Sequence, residues 1–469
     1  MTHLISTALP YVNGPPHIGH AQELVLTDAL ARYRRKREPV DFLTGTDENS
    51  LKNVLAAERA NCAVSDFVER HATGFADLAT RLGVALDDFI RTSTDPRHAP
   101  VVEAVWRACE CSGDIYQSEY TGQYCVGCEQ FLQPDELTNG LCPEHLTEPE
   151  HVAETNYFFR LSRYQQALTE AIETDRLTIR PAHRRNEITA FLDQPLRDLS
   201  ISRSTERAHG WGLPVPGDRS QVIYVWFDAL VNYLSARGFD RWQGADRITH
   251  VIGKGVSRFH CVYWPAILLS AGLRLPDEVL IHGYVTSAGG KISKSLGSAV
   301  DPVEAIAHRG PEALRYFLLR YVGSHRDADF TWSRLEQAYE HDLANQLGNL
   351  VSRTIAVARK TAGARPQETT IGDDLDARIA DAIEAFALHR AVEAIWDVVE
   401  ETNGFVSRRE PWNLEGAERL EVVGQALGAI ATIARALEPF LPETAERISD
   451  RLDSFDRVQL FPRQNRATA

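Results

Sequence analysis

The chain has 469 residues and a formal net charge of −15. That length supports two to four domains with sizeable cores, and the acidic balance excludes a protein that coats nucleic acid through its overall field, so any RNA contact must come from local basic patches. With no uninterrupted apolar run of about 18 residues, and no basic segment followed by an apolar one at the N-terminus, neither a membrane span nor a signal peptide is expected, and a cytoplasmic location is.

The first element is the apolar run Leu4 to Leu9, which reads as a buried strand. Close behind it stands Pro15-Pro16-His17-Ile18-Gly19-His20, at the mouth of a helix expected from about Ile18 to Arg35. Backbone N–H groups at a helix start point outward and favour anions, so two imidazoles placed there suit phosphate. Taken alone, His17 and His20 read equally well as surface histidines at a strand-to-helix turn. Strand and helix patterns then alternate to about Ser112, including Val40 to Leu43 and Val64 to Leu82, as in the first half of a doubly wound sheet.

From about Gly113 to Pro216 the elements shorten around Cys125, Cys128, Cys142 and His145, spaced C-x2-C-x13-C-x2-H. Thiolates and an imidazole at this spacing can close tetrahedrally around zinc with no open position, the mark of a structural site; the alternative is a cysteine cluster without metal. Cys62, Cys109, Cys111 and Cys261 show no comparable grouping. Helical patterns follow at Arg160 to Thr174 and in the segment Arg184 to Arg203, and sheet-like runs resume at Val222 to Phe227 and Ile248 to Ile252. A helical Phe259 to Ser270 and a strand Glu278 to Val285 complete the second half. Trp226 and Tyr233, near the end of the first of these runs, read by themselves as core aromatics.

Next comes Gly289-Gly290-Lys291-Ile292-Ser293-Lys294-Ser295-Leu296-Gly297, a glycine-flanked loop with two lysines and two serines that can close on polyphosphate. Beyond about Trp332 nearly everything is helical in period. On the helix expected from Leu335 to Lys360, Leu343, Leu347, Leu350 and Val351 form an apolar stripe, and Asn345, Asn349 and Arg353 share a polar face that reads by itself as a solvated surface.

His17-Ile18-Gly19-His20 and Lys291-Ile292-Ser293-Lys294-Ser295, in that order and a few hundred residues apart, resemble the paired signatures of class I aminoacyl-tRNA synthetases, His-Ile-Gly-His and Lys-Met-Ser-Lys-Ser. In detail the chain resembles the methionyl branch over nearly its whole length. The resemblance implies an α/β fold: a split Rossmann-type nucleotide-binding domain (1–112 and 217–285) with a zinc-knuckle insertion (113–216). A stem-contact region with the lysine loop (286–334) and a C-terminal α-helical anticodon-binding bundle (335–469) would follow. It implies methionine activation by ATP and transfer to tRNA(Met), with Mg2+ and Zn2+, in a monomer. His17, His20, Lys291 and Lys294 would then be catalytic and, with Gly253, bind ATP. Leu9, Tyr11, Trp226, Ala229, Tyr233 and His260 would line the methionine side-chain slot, and Asp47 would hold the ammonium. Asn349, Arg353 and Trp412 would read the anticodon, whereas Trp412 taken alone reads as a core aromatic. A thioether offers almost nothing to hydrogen bond and must be selected by shape and sulfur–aromatic contact, which an aromatic-lined slot provides.

Two stretches depart from the family pattern. Asp-Glu-His-Gly is replaced by Asp47-Glu48-Asn49-Ser50, and Gly-Lys-Asp by Gly253-Lys254-Gly255. The missing aspartate ordinarily contacts the adenosine ribose, which leaves open a paralogue that activates methionine or an analogue outside translation. A non-catalytic RNA-binding module is disfavoured because neither signature is broken.

Overall fold

The structure, a computed structural model, describes residues 2–125, 130–132, 136–143, 146–287, 290–291, 300–456 and 459–462. The chain folds into two compact units, one made of residues 1–16, 38–79 and 86–281, the other of 17–37, 80–85 and 282–469.

In the first unit the strands of a six-stranded sheet run in the order Asp88–Arg91, Val40–Thr46, His3–Thr7, Arg247–Gly253, Glu278–His282, Thr178–Arg180. His3–Thr7 is parallel to both of its neighbours, Val40–Thr46 to Asp88–Arg91, and Glu278–His282 to Thr178–Arg180. His3–Thr7 and Glu278–His282 are buried throughout, as expected of strands covered on both faces. The strand order reverses between His3–Thr7 and Arg247–Gly253. In open α/β sheets ligands bind at such a reversal, beyond the carboxyl ends of the strands, and here those ends lead to Leu9–Tyr11 and Lys254–Gly255.

Three expected elements differ. Val222 to Phe227 is no strand of this sheet: Asp218–Ile223 pairs with Pro214–Val215 and Ser202–Ser204 in a separate antiparallel sheet, and Val225–Leu230 coils into a short helix. A short unbroken apolar run carries no period to tell the two states apart. The run Glu278 to Val285 breaks after His282, and Val285–Ser287 pairs with Gly290–Lys291 and Ala328–Asp329. Gly283 permits the break: a Cβ there would lie 2.4 Å from the Arg326 backbone. Thr178–Arg180, within the stretch read as an insertion, is the edge strand of the main sheet. The rest of that stretch contains a four-stranded antiparallel sheet, ordered Gln130–Leu132, Ile115–Cys125, Glu150–Phe159, Leu199–Ser200.

The second unit is mostly helical. Its first helix, Ile18–Arg35, buries Asp28 against the Arg315 guanidinium at 2.7 Å, and Arg315 donates to the carbonyls of Leu82 and Phe440. Removing one partner of such a buried pair costs about 3–5 kcal/mol. The helix expected from Leu335 runs from Trp332 to Ala358, with wider π-helical turns over Ala338–Gly348. Pro302–Arg309, Pro311–Phe317 and Leu318–Val322 precede it, and Leu375–Glu384, Leu388–Arg409, Gly416–Leu437 and Pro442–Ser454 follow it. Gly416–Leu437 is by length and mean hydropathy apolar enough to cross a membrane, although charged residues such as Glu421 and Arg435 interrupt it, and 61% of its apolar window is buried inside the protein.

Candidate active site

In the second unit, His17 and His20 frame the start of the helix Ile18–Arg35. The Gly19 N–H donates to His17 Nδ1 at 3.1 Å, the His17 N–H donates to His20 Nδ1 at 3.0 Å, and the rings stack with centroids 3.7 Å apart. A ring nitrogen that accepts from a backbone N–H must offer its lone pair, so each neutral imidazole carries its proton on Nε2. The pair therefore presents two N–H donors at a helix N-terminus. Gly19 leaves the His17 ring its place, since a Cβ there would come within 3.0 Å of it and press the ring aside. The Ile18 N–H donates to the Val300 carbonyl at 3.1 Å, so the chain leaving the lysine loop returns to the start of this helix. Gly290–Lys291 pairs with Thr286 and Ser287 through the backbone, whereas Lys294 lies outside the described residues.

In the first unit, Tyr11 bridges to Asp47 as a parallel pair, and the Asp47 N–H donates to the Pro10 carbonyl at 2.9 Å. Gly45 lets the strand before Asp47 approach its neighbour, because a Cβ there would lie 2.0 Å from the Ile90 carbonyl. The Tyr11 ring meets Trp226 edge to face at 5.8 Å, and Trp226 stacks on Phe259 at 3.4 Å. Tyr233 Oη lies 2.8 Å from His260 Nε2, while His260 Nδ1 lies 3.0 Å from the Val256 carbonyl. That carbonyl can only accept, so Nδ1 carries the proton and Nε2 accepts from the tyrosine. Burial pulls the pKa of His260 down to about 4, keeping the ring neutral. His250, bonded to Ser6 at 2.7 Å, is also pushed well below its ordinary value, by burial and by His260. Ala229 is buried on the helix Val225–Leu230, and Leu9 is half-buried against the core that includes Tyr233. Trp226, Ala229 and Tyr233 thus stand on helical turns rather than at a strand end. Phe259 was missed by sequence reasoning, although its place next to His260 was the available signal.

Gly253 ends its strand, and Gly255 follows it in an exposed turn without a positive φ. Cys125 and Cys142 are both buried in one small cluster with Leu132, against which Leu137 packs. Cys128 and His145 lie outside the described residues, among which no three candidate metal ligands come together. On the bundle, Asn349 is exposed, and Arg353 Nη2 donates to the Asn403 carbonyl and Oδ1, each at 3.0 Å. Trp412 is 45% exposed, so it is not a core aromatic.

The family model for class I tRNA synthetases (M) matches residues 3–151 and 145–355. The chain belongs to this family. It is 40% identical to the methionine–tRNA ligase of Brucella suis, over 96% of this chain and 91% of the relative. The methionine–tRNA ligase of Thermotoga maritima is 36% identical, over 96% of this chain and 75% of its own length. Among solved class I synthetases, Mycobacterium tuberculosis methionyl-tRNA synthetase in complex with methionyl-adenylate superposes with a TM-score of 0.91 at 35% identity, covering 98% of this chain and all of that one. The apo form of the same enzyme gives 0.81 at 34% identity.

Proposed function

We propose that this class I synthetase is a methionine–tRNA ligase: it activates methionine with ATP to methionyl-adenylate and transfers the aminoacyl group to the 3′ end of tRNA(Met). The observation that carries the reading is the 40% identity to a methionine–tRNA ligase over 96% of the chain. In the first step the methionine carboxylate attacks the α-phosphorus, and negative charge grows on the phosphoryl oxygens and the departing pyrophosphate. His17 and His20 supply Nε2 donors to that charge, joined by Lys291 and Lys294, and donors oriented in advance lower the barrier. Gly253 lies in the ATP site, and Mg2+ enters with the polyphosphate as part of the substrate. In the second step the terminal ribose hydroxyl of tRNA attacks the carbonyl carbon of the mixed anhydride, forming the ester as the acyl–phosphate bond breaks and AMP leaves with the hydroxyl proton released; the anhydride is already reactive and requires no protein nucleophile.

Asp47 holds the methionine ammonium, and Leu9, Tyr11, Trp226, Ala229, Tyr233 and His260 enclose the thioether side chain. The neutral His260, accepting from Tyr233, leaves the slot uncharged, as a thioether requires. Zinc would be held by Cys125, Cys128, Cys142 and His145; the shared burial of Cys125 and Cys142 fits a closed thiolate site. The ion would supply folding energy to the insertion (113–216) between the two Rossmann halves, and the 286–334 region would contact the tRNA stem. Asn349, Arg353 and Trp412 read the anticodon from the bundle, with amide and guanidinium groups suited to base edges and an indole to stacking. The protein acts as a cytoplasmic monomer.

The test is methionine-dependent exchange of pyrophosphate into ATP, followed by charging of tRNA bearing a CAU anticodon. Both should proceed with methionine alone among the standard amino acids. Exchange without charging would remove the translation role, and no methionine-dependent exchange would remove the substrate.

A further inference from the structure

Asn49 stands where the family usually has histidine, and its amide makes a contact that spans the pocket wall. Its Nδ2 donates to Asp228 Oδ2 at 2.7 Å and, more weakly, to the Thr92 carbonyl at 3.3 Å. Asp228 belongs to the helix Val225–Leu230, which also carries Trp226 and Ala229, whereas Asn49 follows Asp47 by two residues. One hydrogen bond thus ties the segment bearing the ammonium-binding carboxylate to the helix bearing two side chains of the slot.

Behind Asp228 the bond is held in one direction. His98 Nε2 lies 2.7 Å from Asp228 Oδ1, His98 Nδ1 lies 2.9 Å from Ser235 Oγ, and Ser235 Oγ also lies 3.1 Å from the Val231 carbonyl. The Asp228 carboxylate can only accept, so His98 donates to it through Nε2, and His98 Nδ1 in turn accepts from the Ser235 hydroxyl. Asp228, His98 and Ser235 are all buried, and Asn49 is 8% exposed. A buried carboxylate is costly unless its oxygens are satisfied, so each of the two donors to Asp228 has a strong hold on where it sits.

We propose that Asn49 is a positioning residue for methionine: through Asp228 it sets the separation between Asp47 and the Trp226 and Ala229 face of the slot. The inference rests on the reading of those residues as the methionine slot. An amide at this position supplies the needed donor while remaining uncharged at every pH, which an imidazole does not.

The test compares steady-state pyrophosphate exchange for the wild type, Asn49→Leu, Asn49→His and Trp226→Ala. Asn49→Leu keeps the volume but removes the donor, and should raise the KM for methionine about tenfold or more while the KM for ATP stays within about twofold. Asn49→His, whose ring N–H can reach Asp228, should bring the methionine KM back to within about threefold of wild type. An unchanged methionine KM in Asn49→Leu, equal changes in both KM values, or no recovery in Asn49→His would overturn the proposal. Should Asn49→Leu not yield folded protein, Asn49→Ser, too short to reach Asp228, reads the same ratio and decides in the same way. If Trp226→Ala leaves the methionine KM unchanged, the slot itself is misassigned; if Trp226→Ala raises it and Asn49→Leu does not, only the positioning role fails.

Discussion

His20 owes its proposed role to a backbone contact more than to its own chemistry: with Nδ1 occupied by the His17 N–H at 3.0 Å, the neutral ring carries its proton on Nε2. Loss of a donor aimed at transition-state charge costs about a hundredfold or more in rate. We therefore expect His20→Ala, and likewise Lys294→Ala, to slow adenylate formation by about that factor in single-turnover assays with little change in methionine affinity. A rate equal to wild type would take these residues out of the mechanism. At Gly255 the expected change runs the other way. Its backbone has no positive φ to exclude a side chain, so Gly255→Asp should restore a ribose contact worth about 1 kcal/mol and lower the KM for ATP about fivefold. The buried His260 sets a pH dependence. Its folded pKa of about 4 lies below the ordinary 6.5, so between those values the unfolded chain binds the extra proton. This contribution to stability is fully present above pH 6.5 and declines as the pH falls toward 4, by about 3 kcal/mol in all for one such group. Urea midpoints measured from pH 7 to pH 4 should fall less steeply in His260→Gln than in the wild type.

Elements differ in how openly the sequence declares them. Strands covered on both faces leave short, largely apolar runs, so Leu4 to Leu9, Val40 to Leu43 and Ile248 to Ile252 were legible, as were long amphipathic helices such as Val64–Arg81. Thr178–Arg180 has only three residues, too few to carry a period, and its place at the sheet edge depends on pairing with Glu278–Leu280 about a hundred residues later. The helix Val225–Leu230 was misread because six apolar-rich residues fit either state. The signature histidines were visible in their spacing, but their tautomers depend on N–H groups that only the folded turn aligns. The Asn49–Asp228–His98 chain joins three separate elements and left no local trace. The insertion is where an element and its ligand should depend on each other most. Because zinc binding in a closed site is coupled to local folding, Cys142→Ser should release one zinc per chain and expose the 113–216 region to protease while the nucleotide fold persists. Wild-type protein purified without chelator and found free of zinc by elemental analysis would end that expectation.

At the scale of the whole molecule, chain order and spatial grouping part company. The helix Ile18–Arg35 follows the first strand of the sheet, yet it folds with the C-terminal helices, anchored by Asp28 to Arg315 and by Arg34 to Glu384 at 2.6 Å. The histidine signature and the proposed anticodon readers therefore belong to one compact unit, a grouping that no reading of successive elements provides. Adenylate formation consumes only methionine and ATP, so a residue that acts on tRNA alone leaves it untouched. Trp412, 45% exposed beyond the end of Leu388–Arg409, offers a face that a single-stranded base can cover. Base–aromatic stacking contributes about 1–3 kcal/mol per base. Trp412→Ala should then reduce charging of tRNA with a CAU anticodon about tenfold or more, with pyrophosphate exchange unaltered. A second tRNA with an altered anticodon controls for general damage: wild-type protein should charge it poorly, and the substitution should narrow the gap between the two. If the wild type charges both equally, the bundle reads no anticodon and Trp412 is only a surface indole.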